Sequence, residues 1–495
     1  MKTRHNVAAL VLIISVFSCT DLHKDPVGLL TPGQVSIEPT LNSVKLLVTG
    51  SYQMLANTLN VLNQWQWDLG TVFRDDLVVQ DIASDDVQKK WTGADPDQPW
   101  MDQVQTFNFT SSNQAFNGQW TYDYEGITRS NLALSFLTDD AVATKIGIDP
   151  VLRNRLLGET YFLRAFYYFD LVNNFGDVPL LLKPLESFSE VYALAVRQPK
   201  ADVYTQISAD LALAKPLLPN TKYSDNTEKW RVSKGAVLAM QAKVALYNER
   251  WADVITIVTE LEGLGFYSLN SNYYDAFAVA KEYAENEDIF FYDHQPGQNP
   301  LKGNGICAPL EWGFMAPTAS FLAEFEANDP RKDYTVNVTD KAVYKLLGTT
   351  TTQYKGNDDA PSNKIYIRMA DVLLWKAEAY NETNGYVQAI AIINQIRARA
   401  RTGLTIAGTA PPAGTLLDRP ASVDKATIKG WLIHERRVEL GFESQRFNDL
   451  KRWKIAAQVL TPAIGKNFKA FNYLYPIPQR EIDRLNGTLT QNPGY

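Results

Sequence analysis

The chain has 495 residues, 45% of them hydrophobic, with 48 basic against 55 acidic side chains, two cysteines and four histidines. That composition excludes a collagen, a disordered tail, a disulfide mini-domain and a multispan membrane protein. A net charge of −7 and the lack of any long Lys/Arg tract give no footprint for phosphate backbones, so nucleic acid is not an expected partner.

Lys2 and Arg4 precede an apolar run from Val7 to Val16, and Ser18 stands directly before Cys19, the pattern of a secretion signal. The run is shorter than the roughly 20 residues a membrane-spanning helix needs. Val16-Phe17-Ser18-Cys19 resembles a bacterial lipobox, in which the cysteine thiol is lipidated before cleavage; the alternative is a plain secretion signal ending near a cysteine. Residues 1 to 18 are then the leader and 19 to 36, with Pro26, Gly28, Pro32 and Gly33, a lipidated tether. Removing Lys2 and Arg4 takes the charge from −7 to −9. Cys307 is left without a second thiol and reads as a small buried hydrophobe. His23, His294 and His434 are too scattered to suggest a zinc site, and no metal or cofactor is expected.

Five of the 11 tryptophans (Trp65, Trp67, Trp91, Trp100 and Trp120) fall between residues 65 and 120, where uniform spread would place about one. Trp91 to Trp100 is turn-rich, a setting in which a large aromatic is exposed more often than on a buried helix face. Trp120 opens an amphipathic helical pattern to Phe136 and reads as core. Asp149 is a good N-cap and Pro150 suits the first helical position. Leu152, Leu156, Phe162, Phe166 and Phe169 follow at helical spacing, a second apolar stripe runs through Leu157, Tyr161, Ala165, Tyr168 and Val172, and Gly176 and Pro179 end the helix. Glu159 and Arg164 on this apolar rod read as structural ion-pair partners.

Val232 to Asn248, with Ala236, Ala239, Ala242 and Ala245, followed by Trp251 to Leu261, has the form of a helix hairpin. Ile365 to Tyr380 followed by Gln388 to Arg399 repeats that form. The pattern is tetratricopeptide-like but not a regular tandem array. A second aromatic stretch, Tyr273, Tyr274, Tyr283, Tyr292 and Trp312, holds the turn Gly303-Asn304-Gly305. Near the C-terminus Glu435, Arg436, Arg437, Glu439, Arg446 and Asp449 form a charged cluster flanked by Trp431, Leu432, Leu440, Phe447 and Trp453, read as an ion-pair network between helices. His434-Glu435 begins like a zinc-protease motif, but Val438 stands where the second histidine belongs.

Gly158 to Leu180 (GETYFLRAFYYFDLVNNFGDVPL), His434 to Trp453 (HERRVELGFESQRFNDLKRW), Tyr475-Pro476-Ile477-Pro478 and Gln491-Asn492-Pro493-Gly494-Tyr495 together resemble the SusD/RagB family of outer-membrane lipoproteins of Bacteroidota, with further matches at Asp329-Pro330-Arg331 and Asn394-Gln395-Ile396-Arg397. The resemblance runs from the lipobox to the last residue. It implies a mostly α-helical fold of irregular tetratricopeptide-like hairpins with long loop-rich insertions, near 60 to 118 and 265 to 360 of a single domain spanning 37 to 495. It also implies surface exposure, a lipid anchor at Cys19 and partnership with a SusC-like TonB-dependent transporter.

The chemistry is expected in the loops. The axial C–H bonds of a pyranose form an apolar, slightly positive face that stacks on the negative face of an aromatic ring. Planar polar groups then meet its hydroxyls; Arg74, Asp75, Gln98, Asn113 and Gln114 lie among the tryptophans in sequence. The glycan-binding candidates are Trp91, Trp100, Trp312, Tyr283, Tyr292 and Asp75. No catalytic residue is assigned: neither a nucleophile elbow nor a phosphate-cradling loop is present, and adjacent acids such as Asp85 and Asp86 do not define a glycosidase pair. Oligosaccharide capture is the expected function, with peptide capture or a surface glycosidase as alternatives.

Overall fold

In the computed structural model, which describes residues 39–495 apart from 64, 92–95 and 464, the helix begun by Asp149 and Pro150 runs over Pro150–Phe175, 26 residues. The Asp149 carboxylate accepts from the amides of Val151 and Leu152, satisfying two donors that have no intrahelical partner, and Gly176 at φ +77° ends the helix. The leader, Cys19 and the tether lie outside the described residues.

The helices that frame the molecule are α1 (Leu41–Tyr52), α2 (Pro99–Thr106), α3 (Gln114–Leu137), α4 (Pro150–Phe175), α5 (Lys200–Ala214), α6 (Lys234–Tyr247), α7 (Trp251–Glu262), α8 (Met369–Glu382), α9 (Tyr386–Thr402), α10 (Lys425–Leu440) and α11 (Arg446–Arg452). With both its stripes apolar, α4 is covered by α3 on one side and α5 on the other. Glu159 and Arg164, the two charges singled out on it, are paired as expected. Arg164 forms a bidentate pair with Asp210 of α5 at 2.8 and 2.7 Å, and Glu159 accepts from Arg231 at 2.7 Å and from the Tyr52 hydroxyl at 2.9 Å.

The two hairpins are α6–α7 and α8–α9, and α8 packs on both α7 and α10. Ala236, Ala239, Ala242 and Ala245 are fully buried on α6, where small side chains let its neighbours approach. At one boundary the type of element differs from the sequence expectation. Lys364–Arg368 is a strand, and the helix begins only at Met369. The β-branched alternation Ile365, Ile367 pairs antiparallel with Asp288–Tyr292, and this tertiary partner overrides the helical spacing that continues into α8.

The strands are short antiparallel pairs: β1 (Val87–Gln88) with β3 (Ala316–Pro317), β2 (Asp288–Tyr292) with β4 (Lys364–Arg368), and two further two-stranded ladders, so the fold is mostly α, with no barrel among the described residues. No helix among the described residues is long and apolar enough to cross a membrane.

The charged cluster is the internal seam the sequence suggested. Arg436 of α10 binds Asp371 of α8 (2.7 Å) and Asp449 of α11 (2.8 Å), and Arg331 binds Glu435 (2.5 Å) and Glu439 (3.1 Å). Arg437 binds Asp86 (2.6 Å) and Glu324 (2.8 Å), and Arg446 binds Asp85 (2.8 Å). Cys307 is buried beside Ser362, and burial pushes its thiol up to about 12, in keeping with an inert small hydrophobe.

Candidate functional site: an exposed tryptophan cluster

The tryptophan-rich segment is seated on α3 by two glycines. Trp67–Leu69 makes a single helical turn and Gly70, at φ +67°, reverses the chain over the start of α3. A Cβ on Gly70 would fall 2.1 Å from the carbonyl oxygen of Gln114, and one on Gly118 would fall 2.1 Å from the carbonyl oxygen of Gly70. Neither position tolerates a side chain without moving backbone.

The second half of the site arrives through strand pairing. In the β1–β3 ladder Gln88 faces Ala316 and Val87 faces Pro317. Continued three residues outward, that register sets Trp91 opposite Gly313, and a Cβ on Gly313 would stand 4.0 Å from the indole Cδ1 of Trp91. The neighbouring Trp312 is thereby carried to the 65–73 segment.

Trp67 is the centre of the resulting group. Its ring centroid is 6.5 Å from Trp65 at 89°, 5.9 Å from Trp312 at 59°, 5.8 Å from Phe73 and 6.3 Å from Phe314. Phe73 and Phe314 are buried and form its floor, whereas Trp65 is 55% and Trp312 44% exposed. Trp67 and Trp91 are half-buried, and the Trp91 indole N–H is buried without a hydrogen-bond partner among the described residues. Exposed Gln66, Asp68 and Glu311 lie at the rim. Lys89, held by Asp102 at 2.7 Å, places its ammonium 5.6 Å over the Phe314 ring. From Asp68 a groove of about 540 Å³ continues between the start of α3 and the 478–484 segment, lined by the hydroxyl and amide side chains of Ser111, Ser112, Asn117 and Gln479 and by the charged Arg480, Asp483 and Arg484. Flat apolar rings beside a polar trough suit a ligand with alternating apolar faces and hydroxyl edges.

Two of the residues singled out in the sequence are corrected. Trp100 is only 4% exposed: it lies in α2 rather than in a loop, and its indole N–H donates to Gln98 at 2.7 Å, so its ring is part of the core. Asp75 is 0% exposed behind Gly118; burial, then the charge of Asp76, pushes its carboxyl well above the usual range, and it cannot reach a surface ligand. Arg74 is likewise buried, pairing with Asp76, Asp123 and Asp170 at 2.9, 2.8 and 2.5 Å.

Tyr283 packs on Phe291 under Lys229, and Tyr292 stands edge-on to His294 at 4.9 Å. Among the described residues no ring contact joins either tyrosine to the tryptophans. Trp312 is the sequence candidate in ring contact with Trp67, and Trp91 stands beside it through Gly313, without a ring contact to the other tryptophans among the described residues. Trp65 and Trp67 belong with them; their signal was the tryptophan density of that window, which does not say which members are exposed.

Two family models match the chain: one described as the SusD family covers residues 259–495, and one described as starch-binding associating with outer membrane covers 46–246. The chain belongs to the SusD/RagB-like family. This SusD/RagB-like chain is 26% identical to a SusD-like protein, P2, of Formosa agariphila, over 99% of its own length and all of that protein's. Among solved structures, a laminarin-binding SusD-like protein is 26% identical, with a TM-score of 0.73 over 92% of this chain and 100% of that one. The surface glycan-binding protein A of Bacteroides fluxus is 22% identical and superposes with a TM-score of 0.75 over 92% of this chain and all of its own, a likeness of fold.

Proposed function

We propose that this SusD/RagB-like chain is a non-catalytic binding protein, held at the outer-membrane surface by a lipid on Cys19, that captures oligosaccharide and passes it to a SusC-like TonB-dependent transporter. The observation that carries the reading is the pair of exposed indoles, Trp65 and Trp312, set around Trp67 on a floor of buried phenylalanines. Clustered exposed apolar surface marks a binding site, and the flat face of an indole is suited to an apolar ring face. Sugar rings fit this surface because the rim and the adjoining groove supply amides, hydroxyls and carboxylates for the hydroxyl edges. The description of one matching family model, associating with outer membrane, and the name of the laminarin-binding relative support the location and the ligand class.

The deciding experiment titrates the purified protein with a polysaccharide panel that includes laminarin and starch, with a mixed peptide digest as comparison, and analyses each mixture for cleavage. Saturable binding of a glycan without shortened products, lost together in Trp65→Ala and Trp312→Ala, is the expected result. Binding of peptides alone, or release of short sugars, would replace this reading with peptide capture or with hydrolysis.

A further inference from the structure

A second cavity, of about 440 Å³, opens where the end of α6, the start of α7, the end of α8 and α11 meet, and it shares no lining residue with the tryptophan cluster. Its charge is one-sided once its ion pairs are set aside. Glu249 is bound to Lys454 at 3.0 Å, Glu378 to Arg452 at 2.7 Å and Glu382 to Lys425 at 2.6 Å. Lys200, Lys429 and Lys451 also line the cavity, and among the described residues none of the three makes an ion pair. The Lys451 ammonium donates to the carbonyl oxygen of Asn173 at 2.9 Å and lies 4.9 Å from the centre of the Phe447 ring. Lys200 stands over the Tyr204 ring at 5.5 Å, with Asp177 acting on it as a nearby charge.

Lys200, Lys429 and Lys451 line this space without an ion-pairing carboxylate among the described residues, and the charge of Lys200 acts against that of Lys451. Burial first, then the charge of Lys200, drives the Lys451 ammonium down to about 7, with Asp170 opposing. Three neighbouring residues of the same wall each keep a buried polar atom without a hydrogen-bond partner among the described residues: Nη2 of Arg452, Oδ1 of Asn448 and Oε2 of Glu378. The remaining wall is aromatic, with Trp251, Trp453 and Tyr473. An arrangement of this kind is complementary to a ring with an apolar face and a negative substituent.

We infer that this cavity is a second binding site, for a sugar ring that carries an oxyanion, either a carboxylate or a sulfate ester. The lysines neutralise the charge, the unpartnered guanidinium N–H and amide oxygen meet ring hydroxyls, and the aromatic wall takes the apolar face. The choice of a sugar rests on the glycan-capture reading above, whereas the negative charge rests on the lysines alone.

The test is calorimetric titration of the full mature protein with sodium glucuronate, glucose 6-sulfate, glucose and inorganic sulfate, alongside a neutral glycan that binds the tryptophan cluster. Glucuronate, glucose 6-sulfate or both should bind, glucose and inorganic sulfate about tenfold more weakly, which is the fold-change of one lost charge-assisted contact. Lys200→Gln and Lys429→Gln, both on side chains with solvent access, should weaken the charged sugars about as much. Trp312→Ala should leave them unchanged while abolishing neutral-glycan binding. A response to only one of the two charged sugars identifies the oxyanion. Equal binding of glucose, equal binding of inorganic sulfate, or lysine variants that bind the charged sugars as the parent does would each overturn the site. None of those outcomes touches the tryptophan cluster, whose own failure shows only in the neutral-glycan arm.

Discussion

Truncating Trp312 to alanine removes a ring already 44% exposed, so its stability cost should be well under the about 3–5 kcal/mol that a buried tryptophan carries. Trp100→Ala should show that full cost, because only 4% of its surface meets solvent and its N–H bond to Gln98 is lost as well. Urea melts combined with glycan titration on both variants should therefore separate: Trp312→Ala loses affinity with little change in midpoint, and Trp100→Ala the reverse. A titratable residue gives a second prediction. Burial alone would raise the Glu439 carboxyl, but Arg399, Arg368 and Arg331 outweigh it and hold the group well below its ordinary 4.5. The unfolded chain then takes up the proton first, so this contribution to stability is complete above pH 4.5 and is lost as pH falls through the folded value. Glu439→Gln should cost about 3–5 kcal/mol at neutral pH by leaving guanidinium groups uncompensated, and should flatten the acid limb of a plot of melting temperature against pH. A variant that melts like the parent at pH 7 and loses stability as steeply on acidification would refute it.

Helix propensity favours alanine over glycine in a helix interior by about 1 kcal/mol, yet two helical glycines of this chain should respond with opposite signs. Gly430 on α10 has nothing within 4 Å of a built Cβ, so Gly430→Ala should stabilise by up to about 1 kcal/mol. Gly118 on α3 meets the Gly70 carbonyl oxygen and the Asp75 carboxyl at 2.1 Å, so Gly118→Ala should destabilise by about 1–3 kcal/mol through overpacking. Trp67 lies three residues before Gly70, and the displaced loop should also bind glycan more weakly; thermal melts and titration of the pair check both claims. The elements themselves were unevenly legible. Asp149, Pro150 and Gly176 mark the ends of α4 by local chemistry, which any chain must obey, and the helix follows. Lys364–Arg368 lies directly before a helix with a compatible apolar pattern, and only its pairing with Asp288–Tyr292 makes it a strand. Trp100 misleads for the same reason. Turn-forming residues precede it, but Pro99 starts α2 and packing against distant segments buries the ring.

At the scale of the whole molecule, the tryptophan cluster is an assembly of two distant stretches, and its composition could be read while its membership could not. The density of tryptophan in 65 to 120 is a property of sequence, but the union of Trp67 with Trp312 depends on the β1–β3 register. That register is itself tied to the charged seam. Asp85 and Asp86 directly precede β1, and their backbone carbonyls accept from the Thr318 hydroxyl at 2.6 Å and the Thr318 amide at 2.8 Å, just after β3. Their side chains are gripped by Arg446 of α11 and Arg437 of α10. The residues that lock the helices together therefore also hold the two halves of the cluster in place. Arg446→Ala leaves the Asp85 carboxylate with Arg437 as its remaining ion pair among the described residues and should cost about 3–5 kcal/mol. Arg446→Lys keeps the charge but not the two parallel N–H contacts at 2.8 and 2.9 Å, and should cost less. Assayed far below its melting temperature, where the chain remains folded, Arg446→Ala should also show faster amide exchange at Val87, Gln88 and Ala316 and weaker glycan binding. Loss of stability with exchange and affinity both unchanged would mean that the seam supports the helices alone and that the register of the cluster is set by the ladder itself.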